Sequence, residues 1–197
     1  MQMHFYFMET SSSNYLYAKI KSDQLIINKC PMCGRVYEEG KYEQFKIQLW
    51  GKKEGDYIFS PYCNIVSSKM LELLYNNEIG GFLENDINCT EWRDRKGILL
   101  KGNIPVYKEL IVTGRCGYLK TRNGMEIPKC SKCGALKRDY LKKEKGFIVD
   151  EEWDGSDIFY FKDWKGLIVV TEKVKYLLEK NKMKNVAFAN LEEFAFN

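Results

Sequence analysis

Four of the seven cysteines fall in two copies of one phrase, "KCPMCG" at 29–34 and "KCSKCG" at 129–134. Two residues between thiols let both sulfurs face one ion at about 2.3 Å, and the glycine that follows allows the positive φ that turns backbone N–H groups toward the thiolates. One such loop supplies two ligands, whereas a structural zinc takes four. Two separate four-cysteine sites would need more cysteines than the seven present, and the single histidine, His4, cannot complete two mixed sites. The economical arrangement is one tetrahedral zinc held by Cys30, Cys33, Cys130 and Cys133. Four thiolates close the coordination sphere, so the zinc is structural. Such a site carries a formal charge of about −2, which Lys29, Arg35, Lys129, Lys132, Lys137 and Arg138 lie near enough in sequence to offset.

The competing chemistry is a redox pair. A thioredoxin-type CxxC opens a helix in a βαβ unit, whereas both copies here run on through glycine into mixed charged residues. Cys63, Cys89 and Cys116 read as core cysteines. With one histidine and no P-loop, GxGxxG or HExxH, the chain presents no enzyme signature. The acidic stretch "DEEWDGSD" (150–157) reads as a solvated turn or as a partner surface, in which Asp150, Glu151, Glu152, Asp154 and Asp157 surround the anchoring aromatic Trp153.

These loops need a folded scaffold to bring them together. A chain of 197 residues with 45% hydrophobic content can bury a core. Its 31 basic and 27 acidic residues are interleaved, a weak signal for nucleic acid. The opening "MQMHFYFMETSSSN" lacks the pattern of a secretory signal, and no uncharged apolar run reaches membrane-spanning length. A cytoplasmic protein is expected, in a reducing compartment where the cysteines stay free.

The scaffold itself reads as two related units. "DYIFSPYCNIVSSKMLELLYNNEIGGF" (56–82) and "DIFYFKDWKGLIVVTEKVKYLLEKNKMKNVAF" (157–188) each run from an aromatic strand through a β-branched pair to a polar cap and a helix. With Ser67 laid on Thr171, Met70 meets Val174, Leu74 meets Leu178, and Ile79 meets Met183. Each hydroxyl is positioned to cap its helix, and each helix carries one apolar stripe. "YKELIVTGRCGYLKTRNGMEIPKC" (107–130) reads as a hairpin with a type I′ turn at Asn123-Gly124, and His4 sits in an apparent edge strand. The expected fold is α+β, with two subdomains of antiparallel strands and one amphipathic helix, 1–98 and 99–197, joined at the shared zinc.

The two knuckles and the closing segment from Asp157–Phe161, through Leu167–Val170, Thr171-Glu172 and the helix, to Val186–Phe188 resemble the double-CxxCG motif family. That family is linked to immunity proteins encoded beside bacterial polymorphic or contact-delivered toxins. The match is good from the second CxxCG onward and looser before it. The resemblance implies that the four CxxCG cysteines form the metal site and that the protein neutralises a cognate toxin by binding it, without catalysis, a small-molecule substrate or a membrane. A zinc-ribbon protein that binds nucleic acid is the alternative, supported by the basic residues near the knuckles and by 14% aromatics. A redox protein comes third.

Overall fold

A computed structural model describes residues 3–20, 26–39 and 45–196. The elements of the first part are β1 (Phe5–Glu9), β2 (Tyr17–Ile20), β3 (Ile26–Lys29), β4 (Val36–Glu39), β5 (Phe45–Trp50), β6 (Tyr57–Ile58), β7 (Ile65–Ser67), α1 (Ser68–Asn76) and β8 (Phe82–Arg93). They are followed by β9 (Tyr107–Val112), β10 (Gly114–Cys116), β11 (Lys120–Thr121), α2 (Arg138–Leu141), β12 (Phe147–Ile148), β13 (Ile158–Phe161), β14 (Trp164–Thr171), α3 (Glu172–Lys180) and β15 (Ala187–Asn190). The fold is mixed α+β and mostly strand. No helix among the described residues is long and apolar enough to cross a membrane.

Two sheets dominate, one ordered β10-β13-β14-β1-β15 and the other β2-β5-β8-β9-β7-β6. The strands are not all antiparallel as expected: β10 runs parallel to β13, and β5 parallel to β8. Two strands also cross the 98/99 division. β1 lies between β14 and β15, while β9 lies between β8 and β7. His4 therefore precedes a central strand, not an edge, and its carbonyl accepts the Glu172 N–H. The stretch 107–130 is not one hairpin, because β9 pairs backward with β7 and β8. Its turn closes from the Gly124 N–H to the Thr121 carbonyl, with Gly124 and not Asn123 at positive φ. That makes a type I turn followed by a left-handed glycine rather than type I′.

Alternation along the strands explains the first sheet. Met8, Ile158, Ile168 and Val170 face a core that also holds Met70, Leu74, Val174 and Leu178 from both long helices. Phe7, Phe159, Phe161 and Val169 face the opposite side and an aromatic core with Phe147 and Trp164. A sheet buried on both faces calls for a nearly unbroken apolar run, and "LIVV" at 167–170 is one. Each fully buried large side chain contributes roughly 1.5–3 kcal/mol. Because α1 and α3 share one core, the helices are packed together and not confined to separate units.

The two strand-to-helix corners are built alike. Ser67 Oγ donates to Asp56 Oδ1 at 2.7 Å, and Thr171 Oγ1 donates to Asp157 Oδ1 at 3.0 Å. Ser67 also accepts the Met70 N–H and so caps α1 as expected. Thr171 makes no such bond, although its hydroxyl donates to Asp157 as that of Ser67 does to Asp56. The remaining oxygens reach across: Asp56 Oδ2 accepts from Lys184 N at 2.7 Å, just after α3, and Asp157 Oδ2 accepts from Gly80 N at 3.2 Å, just after α1. Each corner therefore ties itself to the chain leaving the other helix.

Asp56 is buried and Asp157 less so. Asp56→Ala, which strands the Lys184 N–H, is expected to cost about 2–4 kcal/mol. Asp157→Ala is expected to cost about 1 kcal/mol. Urea denaturation of the two variants measures the difference, and equal losses would contradict the assignment.

Candidate metal centre

The first knuckle sits at the tip of the β3-β4 ribbon, where Lys29 pairs with Val36. The second rises from a single bridge between Lys129 and Leu136. Their local bonding matches. Cys30 N donates to Arg35 O and Gly34 N to Cys30 O, both at 2.9 Å; Cys130 N donates to Ala135 O at 2.8 Å and Gly134 N to Cys130 O at 2.9 Å. Gly34 and Gly134 both have φ of 69°, a left-handed conformation that glycine adopts without steric cost.

The loops face each other. Cys30 Sγ lies 3.9 Å from Cys130 Sγ, and Cys33 Sγ lies 3.6 Å from Cys133 Sγ. All four sulfurs fall within 4.8 Å of one another. Sulfurs at 2.3 Å from a tetrahedral ion would stand about 3.8 Å apart, so the four thiols fit one metal ion. Cys30 and Cys130 are buried, Cys133 is half-buried, and Cys33 is exposed.

Backbone amides prepare part of this set for charge. The Cys133 and Lys132 N–H groups aimed at Cys130 pull its thiol down to about 6. The Cys33 N–H lowers Cys30 in the same way. At Cys133 the Ala135 N–H also lowers the thiol, but burial and hydrogen bonds to the neighbouring sulfurs together outweigh it and push it up to about 11. A second thiolate is costly beside the first unless a cation lies between them.

The second knuckle is the better anchored. Lys129 pairs with Asp163 at 3.1 Å and lies over the Tyr118 ring at 3.6 Å, while Leu136 enters the aromatic core. Lys129 is thus held by Asp163, and the charge of the sulfurs is left to other neighbours. Ser131 Oγ approaches Met32 Sδ at 3.2 Å, a contact between the two loops that the spacing of the cysteines does not reveal. The other cysteines lie outside the cluster. Cys63 and Cys116 are buried and Cys89 half-buried, and burial pushes Cys89 and Cys116 up to about 11.

The acidic loop is largely tied to its own fold. Asp150 pairs with Lys120 at 2.7 Å; burial opposes its charge, but Lys120 and the Glu152 N–H hold the carboxyl below its usual range. Asp154 accepts from Arg115 N and Ser156 N, and Asp157 holds the α3 corner. Trp153 packs edge-on to Phe5 at 5.0 Å and donates to Ser156 O. Glu151 and Glu152 remain exposed.

Comparison with family models and with curated proteins returns no match. The metal centre thus stands on its geometry. Elemental analysis of purified chain is expected to give one divalent metal per chain, and Cys130→Ser with Cys133→Ser is expected to abolish it although Cys30 and Cys33 remain. Metal retained by that variant would contradict a shared site.

Proposed function

We propose that the protein is an immunity protein, a cytoplasmic inhibitor that binds and neutralises a cognate bacterial toxin domain, with one structural zinc joining its two knuckles. The observation that carries this reading is the meeting of two loops a hundred residues apart at four sulfurs within 4.8 Å. Four thiolates leave the ion no open position for a substrate, which supports a clamp rather than a reaction centre. Zinc suits an all-thiolate tetrahedral set better than a hard oxygen-seeking cation does. The resemblance of the paired CxxCG motifs and the closing strand-helix-strand segment to the double-CxxCG family supports the toxin partner. The like-built corners at Asp56 and Asp157 support a scaffold that arose by duplication. No catalytic residue is needed, because inhibition by complementarity asks only for a rigid surface. To such a contact the loop at 150–157 contributes Glu151 and Glu152 at most, since its other polar groups are engaged within the fold.

The test is growth rescue. Production of this chain together with each candidate toxin domain encoded by genes next to its own is expected to restore growth of sensitive cells for one of them, and the Cys130→Ser, Cys133→Ser variant is expected to lose that protection. Absence of rescue by the unaltered chain overturns the reading.

A further inference from the structure

Basic residues interleaved with acids along the chain are gathered in space around the metal centre. An open cleft of about 1110 Å³ lies between the first knuckle and α2. Its floor is apolar, formed by Leu136, Leu141, Trp164 and Phe196, and its rim carries Arg35, Lys137, Arg138 and Lys142. A smaller cleft on the other side of the sulfurs adds Lys132, Lys162 and Lys165, with Arg35 shared between the two. Among the described residues, none of these seven cations is in a salt bridge, whereas Lys129 is paired with Asp163 and Glu126.

Charge bookkeeping makes this face distinctive. Set against Asp139 and the formal −2 of a metal held by four thiolates, the seven unpaired cations leave an excess of four. The whole chain has a formal net charge of +4 before the thiolates are counted. The positive excess of the protein therefore sits on this face, and the rest of the surface is balanced or slightly acidic.

Exposed apolar groups stand among the charges: Met32 is 64% exposed, Val36 56% and Tyr140 48%. A phosphate backbone has no use for Met32 and Val36, and among the described side chains lining the cleft Tyr140 is the one exposed ring on which a base could stack. A protein segment with both carboxylates and apolar side chains matches both features, because apolar groups fill the floor while carboxylates meet the rim. At about 1110 Å³ the cleft exceeds what a small molecule usually occupies.

We infer that the cleft beside the metal centre, floored by Trp164 and rimmed by Arg35, Lys137, Arg138 and Lys142, is the docking surface for an acidic, apolar-bearing segment of a partner protein. That the partner is the toxin rests on the function proposed above; the chemistry of the surface does not. The rim takes Arg35 from one knuckle and Lys137 and Arg138 from the stretch just after the other, so the metal that joins the knuckles also sets the spacing of the contacts.

Metal-loaded full chain is titrated into two labelled probes: a short peptide of Glu, Asp, Leu and Phe, and a thymidine oligonucleotide. Fluorescence anisotropy reports binding, and metal content shows that each variant is folded. The peptide is expected to bind, and Arg35→Glu with Arg138→Glu to weaken it about tenfold or more. Lys180→Glu on α3, away from the cleft, is expected to leave it unchanged. No peptide binding, equal binding by the charge-reversed variant, or preference for the oligonucleotide with a steep loss on adding salt overturns the proposal. Growth rescue separates the two readings. If the unaltered chain rescues and the Arg35→Glu, Arg138→Glu variant rescues equally well, the cleft fails and the inhibitor reading stands; if the chain binds peptide but never rescues, the reverse holds.

Discussion

Four sulfurs within 4.8 Å cannot all be charged without a cation among them. That constraint organises the region around the knuckles. It explains why backbone amides pull Cys130 and Cys30 toward thiolate while the crowded Cys133 is pushed the other way. It also explains why the loops are so alike: each must present two sulfurs and several inward N–H groups from a tight turn, and a CxxCG with its glycine at φ of 69° does both.

The knuckles do not hold the halves together unaided. Away from the metal, Asp56 and Asp157 each grip a helix corner with one oxygen and the chain leaving the opposite helix with the other. Between these bonds, α1 and α3 bury their stripes in one shared core. Glycine permits the close approach: a Cβ at Gly81 would collide with the Ile158 carbonyl, so the chain entering β8 of the second large sheet meets β13 of the first where a side chain is absent. The cysteine cluster, the carboxylates and the core thus join early and late parts of the chain at three separate places.

Much of the centre was legible because its chemistry is local. The CxxCG spacing, the odd cysteine count and the single histidine suffice to pick four residues out of seven. The helix stripes were legible for the same reason, as was the serine cap of α1. Sheet membership was not, because pairing is set by distant packing that no local pattern records: β1 reads as an edge strand and lies in the middle. The Thr171 hydroxyl donates to Asp157, fourteen residues earlier in the chain, as Ser67 donates to Asp56, yet unlike Ser67 it accepts no helix N–H. Charge misled in the same way. Interleaved Lys and Arg suggest an even surface, but two loops and a short helix bring them to one face. In the acidic loop, Asp150 and Asp154 are engaged by neighbouring ammonium and N–H groups, which local sequence does not reveal.

The central position of β1 also bears on how the chain is made. Phe5 to Met8 pair with residues of β14, and Tyr6 to Glu9 with residues of β15, so this strand has no partner until Thr171 has been synthesised and is not flanked on both sides until Asn190 follows. On the ribosome, an apolar segment with Phe7 and Met8 waits unpaired through most of translation. Such high contact order favours slow, late closure and leaves an interval in which the nascent chain is open to aggregation or to a chaperone. The cell would then hold a pool of synthesised but not yet competent protein, whose size is governed by the rate at which one early strand finds its slot.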